Sequence, residues 1–537
     1  MKKLLACFLA LVMTASLAGC QNDQNPDDGG SGGGGGNGGN GSSGGSAAGD
    51  PLEIAKSQYG NPLLGFDGEG NITYGGDPST LVVDDTLYLY VGHDTAPYRS
   101  NPSEEGYQIP DYLCYSTKDL KEWTYHGVVL SMKDVSWADK NSAWAGQVAR
   151  HYDETAGKDM YYFYFCSWDS TDNGKQSIGV ATSDSPTGPF VDIGEALVKG
   201  SFTFDETSGW NDIDPTIWIE DDENGEEHRY LAWGNGKVYI CELNEDMVSI
   251  KDYDGDGEIT FPNDVHTKTQ PDSYTEAPWL YRRQDENGKY YGDYYLFYAY
   301  GWREQMAYAT TSDLMEGKFY YQDTIMPPTA TSNTNHMAVF DFLGKTWFIY
   351  HNGSMPAGSG FRRVACIEEL HFSADGSVKL LEETAVGAFG TASTITSLNG
   401  DVLAHAKFTN SSSDDRYPYK DVELGSGFDS AGELDKQWEI IAGKASPDDV
   451  YTVSIESNNK AGLYVTVNDE GGVVLSHDYD GKQAEAQTFR TVVGLAGEGV
   501  SFESVKQPGK YLTLSGGSLT LSDGSDKNAV SFTVAEI

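Results

Sequence analysis

The chain has 537 residues, with 36 Lys and Arg against 81 Asp and Glu, a formal net charge of -45 and a sequence pI of about 4.3. That length allows two or three domains, and that charge argues against nucleic acid as a partner, because phosphate contacts need a basic surface. A neutral or cationic ligand is compatible, and 34 Tyr, 11 Trp and 21 Phe supply many flat apolar faces for one.

At the start, Lys2 and Lys3 precede the apolar run "LLACFLALVMTASLAG", which stops at Cys20. The run is too short for a spanning helix and ends in small residues, so it reads as a secretory signal over residues 1–20. Its ending "SLAGC", with Leu17, Ala18 and Gly19 ahead of the cysteine, resembles the lipobox of bacterial lipoproteins. That resemblance implies a lipid on Cys20 and a membrane-tethered protein at the bacterial cell surface or outside it. Residues 21–50 are rich in Gly, Ser and Asn and form a flexible spacer. Beyond Pro51 no further apolar run is long enough to cross a membrane. Leaving aside Cys7 and Cys20, the cysteines are Cys114, Cys166, Cys241 and Cys366, with no C-x-x-C among them. Buried free thiols fit that spacing better than a zinc site or a disulfide framework.

An aromatic strand signal recurs five times in residues 51–388: "TLYLYVGHD" from 86, "MYYFYFCSWD" from 160, "HRYLAWGNG" from 228, "YYLFYAYGW" from 294 and "TWFIYHNGS" from 346. Each alternates large β-formers, and most are followed by a second strand and a "TSD"-like turn, as in "IGVATSDSPTGPF". Repeated β units with almost no helical periodicity predict a five-bladed β-propeller, in which loop residues from distant blades converge at one mouth of a central channel. A β-sandwich is the competing architecture, and it does not predict the repeated pairing. From 389 to 537 the texture changes to Ser, Gly and Thr, and "VSIESNNKAGLYVTV" from Val453 recurs as "VSFESVKQPGKYLTL" from Val500. Units of that length predict a β-trefoil-like domain, with two clear lobes and a weaker first lobe near 399–440. Polar loop residues such as His477 and Asp478 are candidate sugar contacts there, or turn residues.

Three acids stand beside a proline or an aromatic rather than in a charged run: Asp77 in "YGGDPSTLV", Asp214 in "WNDIDPTIWI" and Glu276 in "TEAPWL". Proline biases the residue before it to extended backbone, and one Asp-Pro alone is a turn opening an inner strand. Two of them in different blades, with an acid ahead of the fourth aromatic strand, indicate a shared site. Paired carboxyls across a pocket suit glycoside hydrolysis, one protonated to donate to the leaving oxygen and the other ionised. Glu276, crowded by Pro278 and Trp279, has the environment of the donor. Asp77, flanked by Gly75 and Gly76, is expected to be better solvated and to act as base, with Asp214 raising the donor's pKa by like-charge repulsion. "DYDGDGEITFPND" from Asp252 begins like an EF-hand loop but has Asn263 at the twelfth position, so an acidic turn is favoured over a calcium site.

In order, "YGGDPSTLVVDDTLYLYVGHD", "SAWAGQVAR", "IGVATSDSPTGPF", "DIDPTIWI", "TEAPWLYRR", "SNTNHMAVF" and "FRRVACIEEL" resemble family 43 of the glycoside hydrolases, five-bladed propellers acting on arabinose- and xylose-containing plant polysaccharides. "WAGQV" departs from the family, many members having a proline after Trp-Ala. The resemblance implies an inverting hydrolase with Asp77 as general base, Asp214 as pKa modulator and Glu276 as general acid. It also implies that His93, Asp94, Trp144 and Trp302 line the sugar pocket, that His336 sits at its floor and that Arg363, or Arg362 one residue away, reaches substrate hydroxyls. No cofactor is required, and a structural calcium near His336 is the one ion the resemblance allows. "TFRTVVGLAGEGVSFESVKQPGKYLTL" resembles the arabinofuranose-binding trefoil modules of arabinofuranosidases. The expected activity is release of α-L-arabinofuranosyl residues from arabinoxylan or arabinan. β-Xylosidase, endo-arabinanase and a non-catalytic sugar-binding lipoprotein are the alternatives.

Overall fold

The structure, a computed structural model, describes residues 49–537 except 204–208, 269–270, 333, 411–418 and 421. The expected signal, Cys20 and nearly all of the spacer lie outside the described residues.

Five antiparallel sheets follow one another along the chain. Their inner strands are Tyr74–Val83, Gly146–Asp153, Thr216–Asp221, Tyr274–Gln284 and Ala338–Phe342. Each inner strand lies beside the next, and the fifth lies beside the first, which closes a five-bladed propeller around an axis. The aromatic segments form the second strand of each blade, for example Lys158–Asp169 and Tyr290–Tyr300.

The reason these strands are so aromatic is that both faces of a blade are covered. Alternate side chains of a strand point to opposite faces, so Phe163 and Phe165 enter the core shared with the first blade while Tyr162, Tyr164 and Cys166 enter the core shared with the third. Wedge-shaped gaps between radiating blades need large side chains to fill them. Tyr112 and Phe163 meet at 4.6 Å between ring centroids, and such a pair adds roughly 0.5–1.5 kcal/mol to the area it buries. All four cysteines of the propeller are buried and unbridged.

The fifth blade has three strands, and the start of the described chain supplies its missing edge. Leu63 donates its N–H to the Ala365 carbonyl at 2.9 Å, and the Asn61 side chain accepts from Ile367 N–H at 2.9 Å and donates to the Thr384 carbonyl at 2.8 Å. Before reaching that edge, the same segment runs along the C-terminal domain. Val493 N–H donates to the Asp50 carbonyl at 2.8 Å, Leu52 N–H to Thr491 at 3.0 Å and Ser57 N–H to Ile440 at 2.7 Å.

In the C-terminal domain the strands Ala392–Ser397, Trp438–Ala442, Thr452–Ser457, Phe489–Val493, Val500–Ser504 and Phe532–Glu536 pair in sequence, and the last pairs back to the first. Three hairpins, one per lobe, complete the trefoil: Ala404–Ala406 with Glu423–Gly425, Tyr464–Val467 with Val473–Ser476, and Tyr511–Ser515 with Ser518–Ser522. Trp438, Phe489 and Phe532, one from each lobe, meet in a single core. The first lobe begins at Ala392 rather than near 399, because its opening strand is the polar stretch "ASTITS", which lacks the apolar run of its counterparts.

Candidate active site

Asp77, Asp214 and Glu276 all line one pocket of about 310 Å³ at the mouth of the propeller. Each is set at the entry of an inner strand by a repeated corner, a residue in left-handed backbone followed by proline. Asp77 has φ 51, Asp214 φ 59 and Ala277 φ 57, ahead of Pro78, Pro215 and Pro278. The extended geometry expected for a residue before proline is therefore not found. The register slips between Gly76 and Ser79 and again on both sides of Glu276, and such bulges turn side chains out of the sheet toward the axis. Left-handed backbone at a non-glycine residue costs on the order of 1–3 kcal/mol and persists only where surrounding contacts hold it.

Those contacts are specific. Asp77 N–H donates to His351 Nδ1 at 3.1 Å, and His351 Nε2 faces the Thr334 carbonyl at 2.8 Å, so the ring carries its proton on Nε2. Burial pushes His351 down to about 3, which keeps it neutral. The Asp77 carboxylate receives Arg363 Nη1 at 2.6 Å, and Arg363 is itself held by Asp94 through Nε at 2.9 Å and Nη2 at 3.0 Å. Gly76 permits this approach, since a Cβ there would stand 2.2 Å from the guanidinium carbon. Asp77 is thus not the solvated acid expected from its glycines. Burial, the largest single influence, pushes its carboxyl up, but Arg363 together with His351 and His336 outweighs it and holds it below the usual carboxylate range.

Asp214 accepts the Ala277 N–H at 3.0 Å, which ties its carboxyl to the peptide following Glu276. Burial, then Glu276 and Asp77, push Asp214 well up. Glu276 receives Asn235 Nδ2 at 2.7 Å and is also raised, by burial first and by Asp77. Its second partner is an acid that sequence reasoning missed: the carboxyls of Glu276 and Glu304 are hydrogen-bonded to each other. Glu304 is 2% exposed, accepts Asn335 N–H at 2.8 Å, and is pushed well up by burial and by Glu276. Two buried carboxyls in contact cannot both ionise readily and share a proton.

The other predicted residues divide. Trp144, Trp302, His336 and Arg363 line the pocket. Trp302 is 72% exposed at the rim, and Trp144 packs against Tyr107 and Trp168 in an aromatic wall that continues to Trp210. His93 and Asp94 are not among the lining residues: His93 pairs with Asp111 at 2.8 Å, and Asp94 lies under Arg363. Neighbours on a strand point to opposite faces, so the two could not share one role. Arg362 points elsewhere, to Glu105 at 3.0 Å. His336, pushed down to about 4 by burial, belongs to no group of three metal-ligating side chains among the described residues. The Asp252 turn gathers Asp252, Asp254 and Asp256, but the Asp252 carboxylate is occupied by the N–H groups of Gly255 and Gly257. Tyr107, Trp210, Asn235 and Glu304 were not foreseen as lining residues.

A propeller carrying buried carboxyls of unequal acidity at its mouth is the apparatus of a glycoside hydrolase. The chain belongs to the glycosyl hydrolases family 43, whose model matches residues 72–378, and residues 406–534 match the alpha-L-arabinofuranosidase B domain. A xylosidase/arabinosidase of Bacteroides ovatus is 30% identical over 345 residues, 58% of this chain and 95% of that protein. An arabinoxylan arabinofuranohydrolase of Paenibacillus polymyxa is 29% identical over 343 residues, 58% of this chain and 51% of that one. Among solved structures, a β-xylosidase/α-arabinofuranosidase from a compost microbial metagenome is 26% identical, with a TM-score of 0.48, over 61% of this chain and 98% of that one.

Proposed function

We propose that this protein is an inverting α-L-arabinofuranosidase that removes arabinofuranosyl side units from arabinoxylan or arabinan. The observation that carries the reading is the split between the carboxyls of one pocket: Asp77 held ionised beside Arg363, Glu276 pushed up toward its protonated form by burial and by Asp77. Asp77 takes a proton from water as the water oxygen bonds to the anomeric carbon. The glycosidic C–O bond breaks on the opposite face, and its electron pair, on the departing oxygen, takes the proton of Glu276. Asp77 then releases its proton to solvent and Glu276 regains one. Asp214 acts through the backbone, its carboxyl fixing the Ala277 N–H and with it the direction of Glu276. Trp144 and Trp302 offer indole faces to the sugar ring.

The choice of arabinose rests on the arabinofuranosidase B domain and on relatives named for arabinofuranosyl and xylosyl substrates. β-Xylosidase and endo-arabinanase share this apparatus. Hydrolysis assays on nitrophenyl arabinofuranoside, nitrophenyl xyloside and debranched arabinan separate the three. Glu276→Gln should slow an arabino-oligosaccharide by on the order of 10²–10⁴-fold, and an unchanged rate would remove Glu276 from the mechanism. A binder without activity would show affinity and no product on any of them. The reading includes a lipid on Cys20 and a place at the bacterial surface. Cys20→Ser should then shift the protein from the membrane fraction to the soluble fraction.

A further inference from the structure

The second trefoil lobe packs on the loop of the fifth blade that ends at Arg363. That loop, residues 353–363, joins the strands Lys345–Asn352 and Val364–Glu369. Ala357 stands in left-handed backbone at φ 59 and donates its N–H to the Asp478 carbonyl at 2.7 Å, while its own carbonyl accepts Arg362 Nε at 2.5 Å. The ring of His477, 2% exposed, lies between the Gly462 carbonyl at 2.8 Å and the Gly358 carbonyl at 3.2 Å, one in the lobe and one in the loop. Gly462, at φ 85, brings backbone against backbone: a Cβ there would stand 2.8 Å from Ser354 Cα. Asp478 is fixed in turn by the N–H groups of Lys482 and Gln483 on its carboxylate, at 2.8 and 3.0 Å. The His477 ring and the Asp478 backbone therefore hold the loop, while His477 also lines a pocket of about 410 Å³ in this lobe.

Resting on the reading of Asp77 as base, we propose that this lobe is a positioning element of the active site, with His477, Asp478 and Gly462 fixing the loop from which Arg363 reaches Asp77. The route is short. The lobe sets Ala357 and Gly358, Ala357 receives Arg362, and the next residue, Arg363, joins Asp94 to Asp77. The charged and titratable groups around Asp77 are Arg363, His351, His336, Asp94, Asp214 and Glu276. Of these, Arg363 alone stands on that loop, at its end. Around His477 stand Lys444 and Asp478.

The test uses full-length His477→Ala, His477→Gln and Gly462→Ala, with pH profiles of kcat/KM on nitrophenyl arabinofuranoside and thermal unfolding of each variant. A loosened Arg363 weakens its hold on Asp77, so the acid limb should move to higher pH by about half a unit or more. kcat should fall on the order of 10- to 100-fold, the scale of a ~1 Å misplacement among reacting groups, with KM changed far less. His477→Gln, which keeps one donor, should recover part of both effects. If His477→Ala does not fold, Gly462→Ala and His477→Gln carry the same readouts. An acid limb that stays in place while activity falls in step with folded protein overturns the proposal, as does a loss of affinity for arabino-oligosaccharide with kcat unchanged. Asp77→Asn is measured alongside: residual activity near the parent level would defeat the base assignment itself, whereas its loss with an unmoved His477→Ala acid limb defeats the positioning role alone.

Discussion

Replacing Glu304 by Gln keeps the shape and the hydrogen-bonding capacity of the side chain and removes one carboxyl from the pair it forms with Glu276. In the parent both carboxyls are pushed up and share a proton, and losing that proton would place two negative charges in contact inside a buried pocket. Two unit charges about 4 Å apart at an effective dielectric constant near 20 repel by about 4 kcal/mol, which corresponds to about three pKa units. Asn235 and Asn335 donate to the pair and absorb part of that repulsion. The alkaline limb of kcat/KM, which reports loss of the proton from the donor, should therefore move to lower pH by roughly one to three units in Glu304→Gln. The assay is a pH profile on two substrates, an arabino-oligosaccharide whose leaving oxygen needs a proton and nitrophenyl arabinofuranoside whose leaving group does not. The displacement should be pronounced on the first and small on the second. An alkaline limb that stays in place, or equal losses on both substrates, refutes the shared proton.

Arg363→Met keeps the length of the side chain and leaves Asp94 and Asp77 buried without their cation; breaking a buried pair in this way costs about 3–5 kcal/mol, measurable by denaturant unfolding. Because Asp77 titrates below its unfolded value, its contribution is present above about pH 4 and is lost as pH falls through the folded pKa, so Arg363→Met should flatten the parent's acid-side loss of stability. Glu368, pushed up to about 8, and Glu383 and Glu456, pushed up to about 7, all by burial, have the opposite sign. Their contribution is full below about pH 4.5 and is lost as pH rises through 7 to 8, so Tm measured from pH 5 to pH 9 should fall, by stability on the order of several kcal/mol. Trp302→Ala, at an exposed rim, should raise KM for oligosaccharide several-fold and leave stability within about 0.5 kcal/mol, the usual range for surface changes.

The propeller was legible because its second strands are aromatic on both faces, a pattern that only elements covered on both sides sustain. Asp77, Asp214 and Glu276 were legible for a related reason, each lying within two residues of a proline that marks the same corner in a different blade. What that local signal did not carry was the backbone itself: the corner is left-handed, because Arg363, His351 and the Ala277 N–H hold it against the bias of proline. Glu304 was hidden in "GWREQMAY", where an acid between an aromatic strand and the next reads as a turn. Only the register of that hairpin, Tyr300 opposite Gln305, brings it to the axis. That Asp94 lies under Arg363 was not legible, because the two are 269 residues apart. The first trefoil lobe was faint because the stretch between Ala406 and Glu423 interrupts its repeat.

The opening segment of the described chain has a mechanical meaning. Between Asp50 and Ser57 it is bonded to strands of the C-terminal barrel, and from Asn61 to Leu63 it completes the fifth blade. A pull at Asp50 is met first by the bond to Val493 and the adjoining barrel strand, and reaches the propeller only after those bonds shear. The catalytic blades are thereby insulated from tension along the chain, and the barrel acts as the fixture that bears the load. The same stitching joins residues more than 400 positions apart, so the segment at Leu52 is secured only once the strand Phe489–Val493 is in place. Pairings of that span close slowly during folding.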